Sequence, residues 1–183
     1  MSTNTHSALV NVASLYERVG LAAGMRIADL GCGVTGHYII PAARIVGDSG
    51  RAYAVDLQQS ALDATESRAK LSGVSNIATI WSDIEHVGAT GIPAGSLDVA
   101  LIASTLHIVK DRTSVLQEAA RLVRSGGTIL VVEWRTDGTV FRGAVQTRIG
   151  PDELREAAAA AQLTEQSFFG VGQFHYGMTF TKA

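Results

Sequence analysis

The fold of this chain is decided by the stretch Ile27-Ala28-Asp29-Leu30-Gly31-Cys32-Gly33-Val34-Thr35-Gly36. A short apolar run breaks into three glycines spaced G-x-G-x-x-G, a pattern typical of a strand that turns sharply into a helix. Glycines there permit positive φ angles and let a ligand approach the backbone closely. Taken alone, the pattern fits an ordinary strand-to-helix turn equally well, so its interpretation depends on the rest of the sequence.

Length and composition indicate one globular domain over residues 1–183. The 183 residues favour a single domain with a sizeable core over two small ones. Hydrophobic residues make up 46% of the chain and charged residues 17%, which excludes a disordered protein. A net charge of −2 gives no electrostatic reason for a nucleic-acid or anionic-membrane partner, so we expect neither.

Cysteine usage and the start of the chain indicate the compartment. Cys32 is the single cysteine, which excludes an intramolecular disulfide and a multi-cysteine metal site and fits a reducing environment. We expect no metal. The polar start lacks a basic region followed by an apolar run, so we expect a cytoplasmic protein.

Helices and strands alternate through the first half of the chain. Pro41 must lie near the first turn of its helix or kink it, and Ser60, with Asp63 three residues later, is typical of a helix cap. Short links between successive strands predict parallel pairing, so Gly31, Asp56 and Asp83 should lie at the same edge of a sheet. Helices are predicted over residues 7–19, 36–46 and 60–71, and strands over 27–30, 51–56 and 76–81.

The second half continues this alternation and ends differently. Asp111 is a candidate helix cap, and Ser125-Gly126-Gly127 predicts a turn into the next strand. The last two strands are separated by too few residues for a crossover, so they must form an antiparallel hairpin. Strands are predicted over 97–103, 128–134, 164–169 and 174–181, with helices after Asp111 and from Pro151 to about Ala161.

Several motifs in order resemble those of class I S-adenosylmethionine-dependent methyltransferases, closest to small-molecule enzymes of the quinone-biosynthesis type. The resemblance implies an α/β, Rossmann-like three-layer sandwich, with a seven-stranded, mostly parallel sheet ending in a C-terminal antiparallel hairpin. The matching motifs are Asp29-Leu-Gly31-Cys-Gly33-x-x-Gly36, Ala54-Val-Asp56, Ser82-Asp83-Ile84, Leu97-Asp98-Val-Ala, Ser104-Thr-Leu-His107 and Gly126-Gly127-Thr-Ile-Leu.

The implied cofactor is S-adenosylmethionine, with S-adenosylhomocysteine as its product. Backbone donors of the glycine loop suit its carboxylate, and Asp29 can bind its ammonium directly or through water. Asp56 follows Gly36 by the distance that brings an acid to a ribose diol, and Asp83 can accept from the adenine amino group. The expected cofactor-binding residues are Asp29, Gly31, Cys32, Gly33, Gly36, Asp56, Leu57, Asp83, Ile84, Ala103 and Ser104.

The implied reaction methylates a small-molecule acceptor whose identity the sequence leaves open. His107 and Glu133 are the candidate catalytic residues, because His107 follows the fourth predicted strand at the cofactor's edge and Glu133 lies near the end of the fifth; a packing histidine and a structural salt bridge are the alternatives. We expect the leading helix, within residues 1–20, to cover the site and residues 135–150 to form a substrate-side loop. A second subunit could complete the pocket, as in a homodimer.

Two other functions remain open from the sequence. An NAD-dependent oxidoreductase shares the glycine pattern and the distant acid. Asp29 argues against it, because an anion two residues before the first glycine would repel a pyrophosphate. A non-catalytic S-adenosylmethionine-binding protein is the second alternative, since a fold does not guarantee activity.

Overall fold

Seven strands form a single sheet in the computed structural model, which describes residues 10–136 and 147–182. The elements in chain order are α1 (Val12–Arg18), β1 (Arg26–Leu30), α2 (Ile39–Val46), β2 (Arg51–Asp56), α3 (Gln59–Leu71), β3 (Ile77–Trp81), β4 (Leu97–Ala103), α4 (Arg112–Leu122), β5 (Val123–Trp134), α5 (Pro151–Ala160), β6 (Leu163–Val171) and β7 (His175–Lys182).

The strand order is β3-β2-β1-β4-β5-β7-β6. β1 to β5 pair in parallel, whereas β7 runs antiparallel to both β5 and β6. The predicted mostly parallel sheet and its antiparallel C-terminal hairpin are therefore confirmed. The parallel strands all end at one edge of the sheet, and antiparallel β7 begins at that same edge.

Two hydrophobic cores flank the sheet and make it the middle of three layers. One core joins the strands to α1, α2 and α3, and the other joins them to α4 and α5. Along β5, Ile129 and Val131 enter the α4–α5 core, while Leu130 and Val132 enter the opposite one. This alternation follows from the two-residue repeat of a strand buried on both faces.

The starts of two helices differ from their predictions. α2 begins at Ile39 instead of Gly36, which places Pro41 in the first turn, where its missing N–H costs nothing. The predicted Ser60 cap is wrong, because Gln58 is the cap residue of α3 and Asp63 accepts from the Gln59 side chain. Residues 31–38 are therefore a longer loop than the glycine spacing indicated.

The predicted turn at residues 125–127 is wrong, because β5 begins directly after α4. Val123 pairs with Leu97, and Thr128 then pairs with Val99, so the strand contains a bulge. Gly127 fits this bulge closely: an added Cβ would lie 3.0 Å from the carbonyl oxygen of Asp98. Gly126 and Gly127 therefore lie within β5, whereas the sequence pattern began this strand only at residue 128.

Parts of two predicted segments lie outside the described residues. These are residues 1–9 of the leading segment and 137–146 of the predicted substrate-side loop. Within the described part, α1 is capped by the Asn11 side chain, which accepts from the Ser14 amide. No helix of the described ranges has the length and apolar composition to cross a membrane.

Gly50 fixes the approach of β2 to β1, and its replacement tests this packing. An added Cβ would lie 2.5 Å from the Met25 carbonyl oxygen and 2.6 Å from the Val46 Cβ atom. Because backbone cannot move aside cheaply, Gly50→Ala should lower the free energy of unfolding by about 3 kcal/mol. Urea titration measures it. Gly170→Ala, which meets open space, is the control, and an equal loss in both variants would contradict the packing argument.

Candidate functional site

A pocket of about 460 Å³ opens at the edge where the parallel strands end. Its volume lies within the usual range for a small-molecule site. All but two of the expected cofactor-binding residues line it, drawn from the loops after β1, β2, β3 and β4. These are Gly31, Cys32, Gly33, Asp56, Leu57, Asp83, Ile84, Ala103 and Ser104.

The first glycine lets the chain turn directly beside the loop after β4. Gly31 has a φ of +91°, and an added Cβ would lie 2.6 Å from the Thr105 hydroxyl oxygen. The amides of Gly31 and Cys32 both donate to the Val55 carbonyl, and the Gly33 amide donates to Asp56. These three amides therefore hold the loop in shape, and their hydrogen bonds within the protein leave none of them free for a ligand carboxylate.

Gly36 does not line the pocket. It has a φ of +60°, and an added Cβ would lie 2.8 Å from the Ile40 Cδ1 atom and 3.3 Å from Thr65. Its observed role is to let the end of the loop pack against α2 and α3.

The Asp56 carboxylate joins two loops of the site. One oxygen accepts from the Gly33 amide at 2.9 Å, and the other accepts from the Gln58 amide at 2.9 Å. Each carboxylate oxygen has a further lone pair, so the group can still accept from a ligand diol. Asp56 both shapes the glycine loop and faces the pocket.

Asp29 does not line the pocket; it precedes Gly31 of the lining by two residues and is a buried carboxylate with no hydrogen-bond partner among the described residues. Its residue is 1% exposed, and neither side-chain oxygen makes a hydrogen bond among the described residues. Burial, with a smaller contribution from Asp56, raises the pKa of Asp29 to about 7. A buried anion without a partner is costly, so this position suits a cationic ligand group.

Two tyrosines cover the Asp29 side of the site. The Tyr16 hydroxyl of α1 donates to the Tyr38 carbonyl at 2.7 Å, which fastens the leading helix over the glycine loop. Burial and the Asp29 charge raise the pKa of both phenols above the ordinary value. The Glu133 charge also contributes to the raised pKa of Tyr38.

Asp83 lines the opposite end of the pocket and also closes a turn. One oxygen accepts from the Glu85 amide at 2.9 Å, and the other lies 3.0 Å from the His86 ring nitrogen. The neighbouring Ser82 hydroxyl is buried and unpartnered among the described residues. The expected cofactor-binding set missed several lining residues: Thr35, Ser82 and Thr105, which stand inside the quoted motifs, and Gln58, Glu85, Ile108 and Val109, which belong to none.

Ser104 adopts a strained backbone where β4 ends beside the pocket. Its φ is +52°, and it is one of two described non-glycine residues with a positive φ. Such conformations cluster at functional sites, where the surrounding structure enforces them. Its amide donates to the Val132 carbonyl, and the Thr105 hydroxyl donates back to the Ala103 carbonyl. The chain therefore turns towards the pocket immediately after the strand.

The two catalytic candidates contact each other. Glu133 is fully buried; one oxygen accepts from the Leu106 amide at 2.7 Å, and the other lies 3.1 Å from the Nδ1 atom of His107. This contact fixes the orientation of the imidazole ring and leaves Nε2 as its second ring nitrogen. Neither residue lines the 460 Å³ pocket, but Thr105 and Ile108, which flank His107 in the chain, do.

The charge of the lining distinguishes between ligand classes. Asp56, Asp83 and Glu85 line the pocket, and no lysine or arginine of the described ranges does.

A family model described as a methyltransferase domain matches residues 21–175. The chain belongs to this methyltransferase family. The resemblance to class I S-adenosylmethionine-dependent enzymes is confirmed, and with it the cofactor at the level of the family.

Curated relatives match part of this methyltransferase. A demethylmenaquinone methyltransferase from Lactococcus lactis is 29% identical over 121 residues, 66% of this chain and 46% of the relative. A ubiquinone/menaquinone biosynthesis C-methyltransferase UbiE from Vibrio parahaemolyticus is 32% identical over 116 residues, 63% of this chain and 43% of the relative. The chain spans less than half the length of these relatives.

A solved structure supports the fold over nearly the whole methyltransferase. A SAM dependent methyltransferase from Aquifex aeolicus superimposes with a TM-score of 0.86 at 19% identity, covering 97% of this chain and 93% of the other. The Rossmann-like three-layer sandwich is thus confirmed. Neither the matched family nor these relatives support the NAD-dependent or non-catalytic alternatives.

The buried Asp29 carboxylate makes a testable prediction about pH. Its pKa rises on folding, so the folded state keeps a proton that the unfolded chain releases, and stability falls as pH rises from about 4 to about 7. Relative to Asp29→Asn, the free energy of unfolding of the unliganded protein should fall by up to about 4 kcal/mol over this range. Urea titrations across the range measure the difference. Asp63→Asn, at an exposed position of α3, is the control. If stability depends on pH in the same way in Asp29→Asn and in the unmutated protein, the raised pKa of Asp29 is refuted.

Proposed function

We propose that this chain transfers a methyl group from S-adenosylmethionine to a small-molecule acceptor. The observation that carries the proposal is the unpartnered, buried Asp29 carboxylate, two residues before Gly31 of a pocket lined by acids. A methionyl ammonium supplies the missing cation. A dinucleotide would instead bring its pyrophosphate close to Asp29, Asp56 and Asp83, where like charges repel.

Each end of the cofactor has a fitting partner in the pocket. Asp29 would bind the ammonium, and Asp56 would accept from the ribose hydroxyls with the lone pairs that its two amide contacts leave. Asp83 would accept from the adenine amino group, while Leu57 and Ile84 supply apolar contact on the lining. We retain the full set of sequence-predicted cofactor residues except Gly36, which acts through packing.

Methyl transfer requires mainly alignment. When bound, S-adenosylmethionine would supply an activated methyl group: the acceptor would bond to the methyl carbon as the carbon–sulfur bond breaks, and S-adenosylhomocysteine, a neutral thioether, would be the leaving group. Holding the two reactants in line can contribute about 7 to 11 kcal/mol to the rate. Tyr16 and Tyr38 support this alignment at the Asp29 side of the site. They exclude water from Asp29 and hold the glycine loop against the leading helix.

His107 is the proposed general base for an acceptor that must lose a proton. Glu133 orients the ring through Nδ1 and stabilises the imidazolium that forms, and Nε2 takes the proton. The Glu133 carboxylate already has three partners in place, the Leu106 and Trp134 amides and the His107 ring, so it need not move during the step. An acceptor without an exchangeable proton would not need this pair.

The predicted substrate-side loop is proposed to border the acceptor. Its described ends lie beside the candidate base: the Thr147 hydroxyl donates to the His107 carbonyl at 2.7 Å, and the Tyr176 hydroxyl donates to the Ile149 carbonyl. Arg148 donates to the Arg135 carbonyl and joins the two ends. The curated relatives act, by name, on quinone precursors, so a ring-hydroxylated quinol is the first acceptor to assay. A cytoplasmic location and a homodimer stay predictions.

Asp56 provides the test of cofactor binding. Asp56→Asn removes the charge that receives the ribose hydroxyls and should weaken S-adenosylhomocysteine binding by at least about tenfold. Calorimetric titration measures the dissociation constant. Asp48→Asn, an exposed change in the turn before β2, is the control and should leave binding unchanged. Binding of NAD with none of the methyl donor would reverse the proposal.

His107 provides the test of the chemical step. With an acceptor found by screening for S-adenosylhomocysteine release, His107→Gln should lower kcat about a hundredfold, with cofactor affinity unchanged. Glu133→Gln should lower kcat as well. The double variant should lose little more than His107→Gln alone, because the two residues act as one unit. Full turnover by His107→Gln would show that the histidine only packs.

A further inference from the structure

His175 is a buried histidine that the proposed reaction leaves without a role. It begins β7, at the edge where the parallel strands end, and its residue is 8% exposed. Its Nδ1 atom is buried and makes no hydrogen bond among the described residues. Because buried polar atoms are normally paired, this orphaned nitrogen calls for a partner that residues 10–136 and 147–182 do not supply.

Trp134 gives this histidine an aromatic neighbour. The two residues are paired across β5 and β7, and their ring centroids lie 4.1 Å apart with the planes tilted by 42°. The indole is only partly buried, so a flat surface remains beside the imidazole. Together the two rings offer apolar contact and one hydrogen-bonding atom, a combination that suits a planar ligand.

The charges around His175 disfavour an anionic ligand. Burial lowers the pKa of His175, His107 lowers it further, and the Glu133 carboxylate partly opposes them. The imidazole is therefore neutral near pH 7 and can form a hydrogen bond without carrying a charge. The Glu133 carboxylate, whose described partners are His107 and backbone amides, would repel a second anion nearby.

This cluster adjoins the cofactor pocket. Tyr38 lines that pocket and lies within electrostatic range of Glu133, while His107 stands between Thr105 and Ile108 of the lining. A group bound between His107 and His175 would thus lie beside the pocket, on the side of the proposed base. In the proposed function Asp29, Asp56 and Asp83 bind the cofactor, so the side of the pocket next to His107 would be left for the acceptor.

We propose that His175 is an acceptor-binding residue, whose ring nitrogen forms a hydrogen bond with an uncharged, planar acceptor that lies against Trp134. The assignment rests on the proposed methyl transfer and adds a selectivity to it. A neutral hydroxyl-bearing ring is favoured over the same ring carrying a carboxylate. A histidine that merely packs would not confer such a preference, and this difference makes the role measurable.

The experiment measures acceptor-side binding without turnover. The protein is saturated with S-adenosylhomocysteine and titrated calorimetrically with three probes that share one ring system: α-naphthol, its methyl ether and α-naphthoic acid. The naphthol should bind about tenfold more tightly than the ether, which cannot donate a hydrogen bond, and the acid should bind weakest. His175→Phe keeps an aromatic ring and removes the nitrogen, so it should abolish the preference for the naphthol.

Trp134→Leu is the matched control within the cluster. Loss of ring contact should weaken all three probes alike, by about fivefold, and leave their order unchanged. S-adenosylhomocysteine affinity is measured in every variant and should stay within about twofold of the unmutated protein. If His175→Phe fails to fold, His175→Leu takes its place with the same loss of preference expected.

The outcomes separate this inference from the proposed function. An unchanged naphthol preference in His175→Phe, or no preference in the unmutated protein that binds S-adenosylhomocysteine, overturns the role of His175 and leaves methyl transfer standing. Failure of the unmutated protein to bind S-adenosylhomocysteine overturns the proposed function and the inference with it. Loss of the preference at unchanged cofactor affinity supports both.

Discussion

The site depends on one carboxylate that ties two loops together. Asp56 accepts from the amides of Gly33 and Gln58, so the loops after β1 and β2 are held at one spacing. Parallel register then fixes the height of these loops, since Leu30 pairs with Val55 at the end of the two strands. A charge-assisted hydrogen bond to backbone amides is strong enough to hold glycines that would otherwise sample many conformations. The shape of the pocket therefore depends on these two hydrogen bonds of Asp56.

A second carboxylate, Asp29, lowers the stability of the unliganded fold, and the proposed cofactor would offset this cost. Asp29 occupies a position in β1 where an apolar side chain would pack without penalty, yet it is buried with no donor among the described residues. The neighbouring Asp56 charge makes ionisation harder still. Such an arrangement is stable enough only because the two cores on either side of the sheet are extensive. A bound ammonium would remove the penalty, which links cofactor affinity to the stability of the protein.

Glu133, like Asp29, is a buried carboxylate near this edge of the sheet. Unlike Asp29, it has hydrogen-bond partners, which include His107. The strands β4 and β5 are adjacent, and β4 turns at Ser104 so that Leu106 and His107 approach the end of β5. Sequence reasoning identified both residues from their places at the ends of strands, but it could not show that the His107 ring contacts the Glu133 carboxylate. The same reasoning missed His175, because a histidine at the start of a hairpin strand has no motif, and its burial beside Trp134 comes from pairing across β5 and β7.

Local sequence determined the elements and their order, because apolar periodicity, glycines and short links act over a few residues. It correctly placed β2 and β4, the Asp111 cap of α4 and the antiparallel hairpin, and it gathered Gly33, Asp56 and Asp83 at one edge. Tertiary structure alone decided which amides remain for a ligand, that the glycines near residue 126 form a bulge and not a turn, and that Gly36 packs instead of lining the pocket. Each of these outcomes depends on an atom from a distant part of the chain, and no local pattern specifies where such an atom will lie.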